Sequence, residues 1–147
     1  MKLSTRARYG ARAMVELAKT PGASRSVRDV ARNQRVSAKY LEHIMASLKS
    51  AGLVEAVRGL NGGYTLARGP GEIRLSDIIL ALEGPLAPVD CVSGVRDCPM
   101  AADCPTREVW AELKRSIMLT LDRVTLKDLV ERRHGREPAD DVPMYHI

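Results

Sequence analysis

The stretch from Leu53 to Arg68 can hardly fold as anything but a β-hairpin. It reads Leu53-Val-Glu-Ala-Val-Arg58, then Gly59-Leu-Asn-Gly-Gly63, then Tyr64-Thr-Leu-Ala-Arg68. Apolar residues alternate on both sides of Asn61-Gly62-Gly63, and that turn demands positive φ. A two-stranded hairpin cannot stand alone in water, so it must pack on what precedes it. What precedes it is helical.

Ser4 can cap a helix over residues 4–19, where Ala7, Ala11, Met14, Val15 and Ala18 form one stripe. Lys2, Arg6, Arg8 and Arg12 crowd its first half, and Thr20-Pro21-Gly22 ends it. Ser26 and Asp29 have the spacing of a capping box before Val27, Val30 and Ala31. Ser37 then opens a further helix with Leu41, Ile44, Met45 and Leu48 turned inward, and Gly52 is placed to end it. A short helix, a tight turn, a second helix and a hairpin make a winged helix-turn-helix. The expected fold class is mainly α with a small β-hairpin, extended by a long dimerisation helix.

In such a reader the first residues of the second helix enter the major groove, here Ser37, Lys39, Tyr40, Glu42 and His43. Ser37 and the free amides of the helix start suit a phosphate, and Lys39 and Tyr40 suit a phosphate or a base edge. A carboxylate facing DNA is unfavourable unless it accepts from a cytosine amino group, which would make Glu42 a specificity element. The alternative for Glu42 is a surface charge paired with Lys39 or Lys49. His43 is read as a solvent or DNA contact rather than a metal ligand. Arg58 at the base of the wing can reach a minor groove or a phosphate, and Asn61, Gly62 and Gly63 let the backbone approach closely.

Charge agrees with this reading. The chain has 147 residues and a net charge of +5. Residues 1–75 hold 14 Lys+Arg against 5 Asp+Glu, a net of +9, whereas residues 76–147 carry a net of −4. The N-terminal half is therefore expected to meet a polyanion, double-stranded DNA, in preference to being a merely solvated basic face or a protein-interaction module. No apolar run approaches the roughly 20 residues that cross a bilayer, and the N-terminus lacks the apolar stretch of a signal peptide. A cytoplasmic protein with reduced thiols and no membrane partner is expected. Ser, His and Asp show no nucleophile-like context, so no enzyme is expected.

Beyond the wing, a short helix over 76–83 with Ile78, Ile79 and Leu82 inward leads to Gly84-Pro85 and Pro88. Then comes a loop with every cysteine of the chain: Cys91, Cys98 and Cys104. Their spacing is wider than that of zinc ribbons, whose cysteine pairs lie roughly two to four residues apart. Thiolates select soft metals and iron–sulfur clusters. Three reduced thiols in a surface loop, or direct thiol oxidation helped by Arg96 and Arg107, are the other readings. Pro105 suits the first turn of a long helix reaching about Arg123. Its stripe of Val109, Trp110, Leu113, Ile117, Leu121 and Val124 is too long for one winged helix to cover, so a two-fold homodimer on a roughly palindromic site is expected. Thr125 and Asp128 cap a last segment. The expected division is 1–75 for the DNA-binding domain, 76–133 for the cysteine loop and dimerisation helices, and 134–147 for a flexible tail. In that tail, disorder is favoured over a sensory role for Tyr145 or His146.

Arg8-Tyr9-Gly-Ala-Arg-Ala-Met14, Val36-Ser-Ala-Lys-Tyr-Leu-Glu42, Gly52-Leu-Val54, Val57-Arg-Gly59 and Gly62-Gly-Tyr64 resemble the winged-helix iron–sulfur regulators typified by IscR and NsrR. The three cysteines and Cys104-Pro-Thr-Arg-Glu-Val-Trp110 resemble that family's cluster loop, and the likeness spans about residues 1–133. It implies a homodimeric transcription factor with a [2Fe–2S] or [4Fe–4S] cluster on Cys91, Cys98 and Cys104, and DNA contacts at Ser37, Lys39, Glu42, His43 and Arg58. Members with a histidine three residues after the last cysteine differ here, where that residue is Arg107, which stays protonated and cannot ligate. Members that use an aspartate from the first helix of the partner subunit differ too, since Arg8 stands at the matching place. Asp97, Asp103, Glu108, a histidine or a small molecule are the remaining candidates for a fourth ligand. The expected function is a regulator, acting as a repressor, whose DNA affinity follows cluster status, nitric oxide or redox state. The alternatives are a cluster-free regulator sensing through thiols or a partner protein, and an iron–sulfur carrier or electron-transfer protein, which leaves the basic reader unexplained.

Overall fold

The computed structural model describes residues 1–94 and 98–134. Three serines start the first three helices. α1 (Thr5–Ala18) is capped by Ser4, α2 (Val27–Gln34) by Ser26, and α3 (Ala38–Ser50) by Ser37. Each serine hydroxyl accepts the backbone N–H three residues on, at 3.1 Å, which satisfies one orphan donor of its helix. Between α2 and α3, Arg35 adopts the left-handed conformation at φ 55°, and the Val36 N–H returns to the Ala31 carbonyl at 3.0 Å. The reversal closes α2 and aims α3 across it.

The hairpin follows as expected. β1 (Val54–Val57) pairs antiparallel with β2 (Gly63–Leu66), from Val54 opposite Leu66 to Val57 opposite Gly63. A third segment joins it: Arg25 and Tyr64 exchange both backbone hydrogen bonds at 2.9 Å. Gly63 is required at this junction, because a side chain there would run into the Arg25 carbonyl.

α4 (Leu75–Glu83), a 3-10 turn (Asp90–Val92), α5 (Arg107–Asp122) and α6 (Leu126–His134) complete the described chain. Two starts differ from expectation. α4 begins one residue early, because Asp77 accepts the Arg74 N–H at 2.9 Å and makes Arg74 the cap, leaving Ser76 buried. Pro105 lies ahead of the first turn of α5, because the Arg107 N–H closes a turn on the Cys104 carbonyl at 3.3 Å before the helix starts.

Met14, Leu17, Leu41, Ile44, Leu48, Ile73, Ile78 and Leu126 are almost wholly excluded from water, each such burial contributing about 1.5–3 kcal/mol. α1 is central, touching α2, α3, α4 and α6. Gly10 is where it comes nearest to its neighbours, since a methyl group there would overlap Leu82 of α4 and press on Ile44 of α3. α6 folds back onto this core: Thr125 and Asp128 cap it reciprocally, and the Leu126 N–H reaches the Ile73 carbonyl at 3.0 Å.

α5 is the exception. None of its residues is buried, although Ile117 and Leu121 lean on the core. Of the expected apolar stripe, Val109 is 56% and Leu113 43% exposed while Trp110, Ile117, Leu121 and Val124 are half-buried, and Leu119, outside that stripe, is 54% exposed. Among the described residues no helix is long and apolar enough to cross a membrane. The chain is thus mainly α with one small hairpin, a winged helix-turn-helix with an uncovered helix attached. The tail from residue 135 onward, with Tyr145 and His146, lies outside the described residues.

Candidate nucleic-acid interface and cysteine loop

The start of α3 presents Ser37, Lys39, Glu42 and His43 to solvent, whereas Leu41, Ile44 and Met45 turn into the core. Helical spacing thus sorts the candidates onto the outer face. Tyr40 differs from its polar neighbours. Its half-buried ring meets Tyr9 edge-on, with centroids 6.3 Å apart, and the Arg12 guanidinium lies 5.6 Å from the Tyr9 centroid. Glu42 makes no ion pair among the described residues, so the alternative pairing with Lys39 or Lys49 is not formed there. The Ser37 hydroxyl accepts from the Tyr40 N–H, which leaves its own O–H free to donate to a phosphate.

Arg58 and Asn61 are exposed on the wing, with Gly62 and Gly63 half-buried behind them. The Ser24 hydroxyl donates to the Asn61 carbonyl at 2.6 Å, so the loop before α2 holds the wing tip. The structure thus places the helix and wing candidates on two separately anchored elements of one reader.

Two features escaped the sequence reading. The Arg6 guanidinium donates to the Ser47 hydroxyl and lines a shallow cleft of about 510 Å³ with Tyr40, His43 and Ser50, so the basic start of α1 reaches α3. The crowding of cations on α1 was the available signal. The second is Glu16, buried at 5% exposure. Its Oε2 accepts from Lys19 at 2.6 Å, and its Oε1 accepts from Arg25 at 3.2 Å and Asn33 at 3.0 Å. Burial pushes its carboxyl up, but the hydrogen bonds from Lys19 and Asn33 and the charges of Lys19 and Arg25 outweigh that. Its pKa therefore lies below the ordinary carboxylate value. Nothing in the spacing of Glu16 marks it.

The three cysteines are free and half-exposed. Cys91 and Cys98 line one cavity of about 400 Å³, and Cys104 lines an adjoining open cleft of about 1130 Å³. Val92, Ala101, Arg107 and Lys114 border both. Lys114 of α5 donates to the Val92 carbonyl at 2.8 Å, fastening the turn that bears Cys91 to that helix. Cys104 Sγ lies 3.4 Å from the Thr106 hydroxyl, and hydrogen bonds from the Thr106 side chain and backbone bring the thiol below its ordinary pKa. Three thiols suit a soft metal or a cluster in kind. Their placement does not: among the described residues no three His, Cys, Asp or Glu side chains are grouped to hold a metal ion. Of the expected fourth ligands, Asp103 and Glu108 border the Cys104 cleft, and Asp97 lies outside the described residues, as does Arg96.

A profile of the Rrf2 family, described as an iron-dependent transcriptional regulator, matches residues 3–132. The transcriptional regulator CymR of Bacillus subtilis is 37% identical over 140 residues, covering 95% of this chain and 96% of that protein. The structure of B. subtilis CymR superposes with a TM-score of 0.77 at 38% identity, over 90% of this chain and 98% of the other. The structure of T. potens IscR does so with a TM-score of 0.75 at 38% identity, over 99% of this chain and 95% of the other. With its winged helix-turn-helix, its exposed recognition helix and these relatives, the chain belongs to the Rrf2 family of DNA-binding transcriptional regulators.

Proposed function

We propose that the chain is a homodimeric repressor whose affinity for a roughly palindromic DNA site is set by chemistry at Cys91, Cys98 and Cys104. One observation carries the reading. The polar start of α3 and the Arg58 wing are both exposed, in the half of the chain that carries a net +9. Residues 1–75 act as the reader, with Lys39 and Arg58 on phosphates and grooves and Glu42 on a base edge. Residues 76–133 carry the sensor loop and the pairing surface, for which the exposed Val109, Leu113 and Leu119 of α5 speak.

The three cysteines would hold an iron–sulfur cluster, which would supply a redox-active or gas-reactive iron next to the base of α5. Arg107 and Lys114 border both the cavity of Cys91 and Cys98 and the cleft of Cys104 and would supply positive charge near such a group. Among the described residues the three sulfurs are not grouped to hold a metal ion, so holding one group by all three would require the loop to rearrange. That loop joins α4 to α5, so its rearrangement bears on both the reader and the pairing helix. A second reading keeps the regulator and omits the cluster. It is supported by the ungrouped thiols and by the CymR relative, described as the global cysteine regulator of B. subtilis. The signal would then be a thiol state or a cysteine-related molecule.

Anaerobic purification with an absorption spectrum and iron and sulfide analysis, beside Cys98→Ala, separates the two. Iron and sulfide lost in the variant support the cluster. An iron-free native protein removes it and leaves the thiol-based regulator.

A further inference from the structure

Glu16 is the one buried carboxylate of the described residues, and the two elements that read DNA both hang from it. A carboxylate out of water must be paired, and here the partners lie on three different segments. Lys19 belongs to the end of α1. Asn33 belongs to α2, the first helix of the helix-turn-helix. Arg25 belongs to the loop between them. That loop also carries the wing: the Arg25 backbone bonds Tyr64 of β2 in both directions at 2.9 Å, and neighbouring Ser24 bonds the Asn61 carbonyl. The two backbones come close enough here that a side chain at position 63 would meet the Arg25 carbonyl.

We propose that Glu16 is a positioning residue for DNA recognition, its carboxylate fixing the wing, through Arg25, relative to α2 and the recognition helix packed on it. The inference rests on the wing-and-helix reading above and adds what sets the spacing between the two contacts. Glu16 itself need not touch DNA. Without it Arg25 keeps its backbone pairing but loses the anchor of its side chain, and the wing can swing about the Arg25–Tyr64 bridge. Arg58 would then meet the groove in the wrong register.

Charge and position predict opposite signs for Glu16→Gln, which makes the test sharp. Removing a negative charge from a basic reader should tighten binding to every duplex. Loss of positioning should weaken binding to the specific site by about tenfold, the scale of one lost groove contact, and spare non-specific affinity. The probe is a duplex selected by the native dimer from a random pool, against a scrambled duplex of equal length. Glu16→Gln, Arg58→Ala and the double variant are compared in the full chain, with circular dichroism as a check on folding. The expected result is weaker specific binding by Glu16→Gln, no further loss when Arg58 is already absent, and unchanged or tighter binding to the scrambled duplex.

Unchanged or tighter specific binding by Glu16→Gln overturns the proposal, as do losses that multiply with those of Arg58→Ala. If Arg58→Ala alone has no effect, the wing reading itself fails. Should Glu16→Gln not fold, Arg25→Met takes its place, since that side chain is 31% exposed and its backbone bridge to Tyr64 remains. Because this change also removes a cation and weakens binding to every duplex, the readout is the preference for the selected over the scrambled duplex: its loss must vanish in the Arg58→Ala background, and a preference that falls further there overturns the proposal.

Discussion

Ser4 donates its backbone N–H to Glu83 Oε1 at 2.7 Å, tying the first residue of the α1 cap to the last turn of α4. The Ser4 hydroxyl meanwhile accepts from Ala7, so one residue both starts α1 and moors it. α4 runs directly into Gly84-Pro85 and the cysteine loop, and α1 reaches α3 through Arg6. A displacement of α4 therefore has a bonded route to the recognition helix.

Breaking that mooring should weaken the fold modestly. Glu83→Ala removes a charge-assisted bond at a half-buried site and is expected to cost about 1 kcal/mol. Urea unfolding reads the loss, and a midpoint equal to that of the native chain would count against the contact.

Gly10 should be intolerant of alanine. Its added methyl would overlap Leu82 and crowd Ile44, a cost of about 1–3 kcal/mol. Leu82→Ala alone opens a cavity, but in the Gly10→Ala chain it should relieve part of the strain. The double variant is thus expected to lose less than the sum of the singles. Strict additivity in denaturant melts would mean that the two helices do not meet there.

The buried carboxylate predicts a pH dependence of stability. Glu16 has its pKa lowered by folding, so near the ordinary carboxylate value the unfolded chain binds more protons than the folded one. Its contribution is complete above that value and is lost as pH falls through the lower folded pKa. Glu16→Gln should therefore cost about 1–3 kcal/mol at neutral pH, and the gap to the native chain should close as the solution is acidified. A gap independent of pH would show the carboxylate to be idle.

Salt should weaken DNA binding steeply, with a log–log slope reduced by about 1 in Lys39→Ala. Glu42→Ala is expected to act differently, relaxing discrimination at one base pair by about 1–3 kcal/mol while leaving the salt slope nearly unchanged. A selection experiment with both variants checks the pair.

Leu113→Glu places a charge on the exposed face of α5, where the native leucine is 43% exposed. If that face is the pairing surface, sedimentation should show a monomer with weakened affinity for the palindromic site. A dimer of native stability would move the interface elsewhere.

Local chemistry explains what the sequence revealed. The Ser4, Ser26 and Ser37 caps and the Thr125–Asp128 box are decided within three or four residues, and all stand in the structure. The hairpin stands too, but its turn closes from the Gly62 N–H to the Gly59 carbonyl, with positive φ at Gly59 rather than at Asn61 or Gly62. The outward positions of Lys39, Glu42 and His43 follow from helical spacing alone. Of the partners of Glu16, Lys19 stands at helical spacing three residues on, but Arg25 and Asn33 lie 9 and 17 residues away, separations that no helical periodicity records. Tyr40 suits a phosphate or base edge by its place in the sequence, whereas its half-buried ring packs edge-on against Tyr9 of another helix, a contact that helical spacing cannot express. Pro105 was placed inside α5 because proline favours a first turn, whereas the Cys104 carbonyl captures the Arg107 N–H one turn sooner. The three thiols are not grouped to hold a metal ion among the described residues, and the long-range bond from Lys114 to the Val92 carbonyl beside Cys91 is one that spacing among cysteines cannot express.

The most direct test links sulfur to DNA. The native chain and a variant with alanine at Cys91, Cys98 and Cys104 would each be titrated with the selected duplex, under anaerobic conditions and after exposure to air or nitric oxide. The native affinity should change by about tenfold or more between conditions, while the alanine variant holds one affinity throughout. A native affinity that stays the same in every condition would contradict the sensor and leave only a constitutive DNA binder.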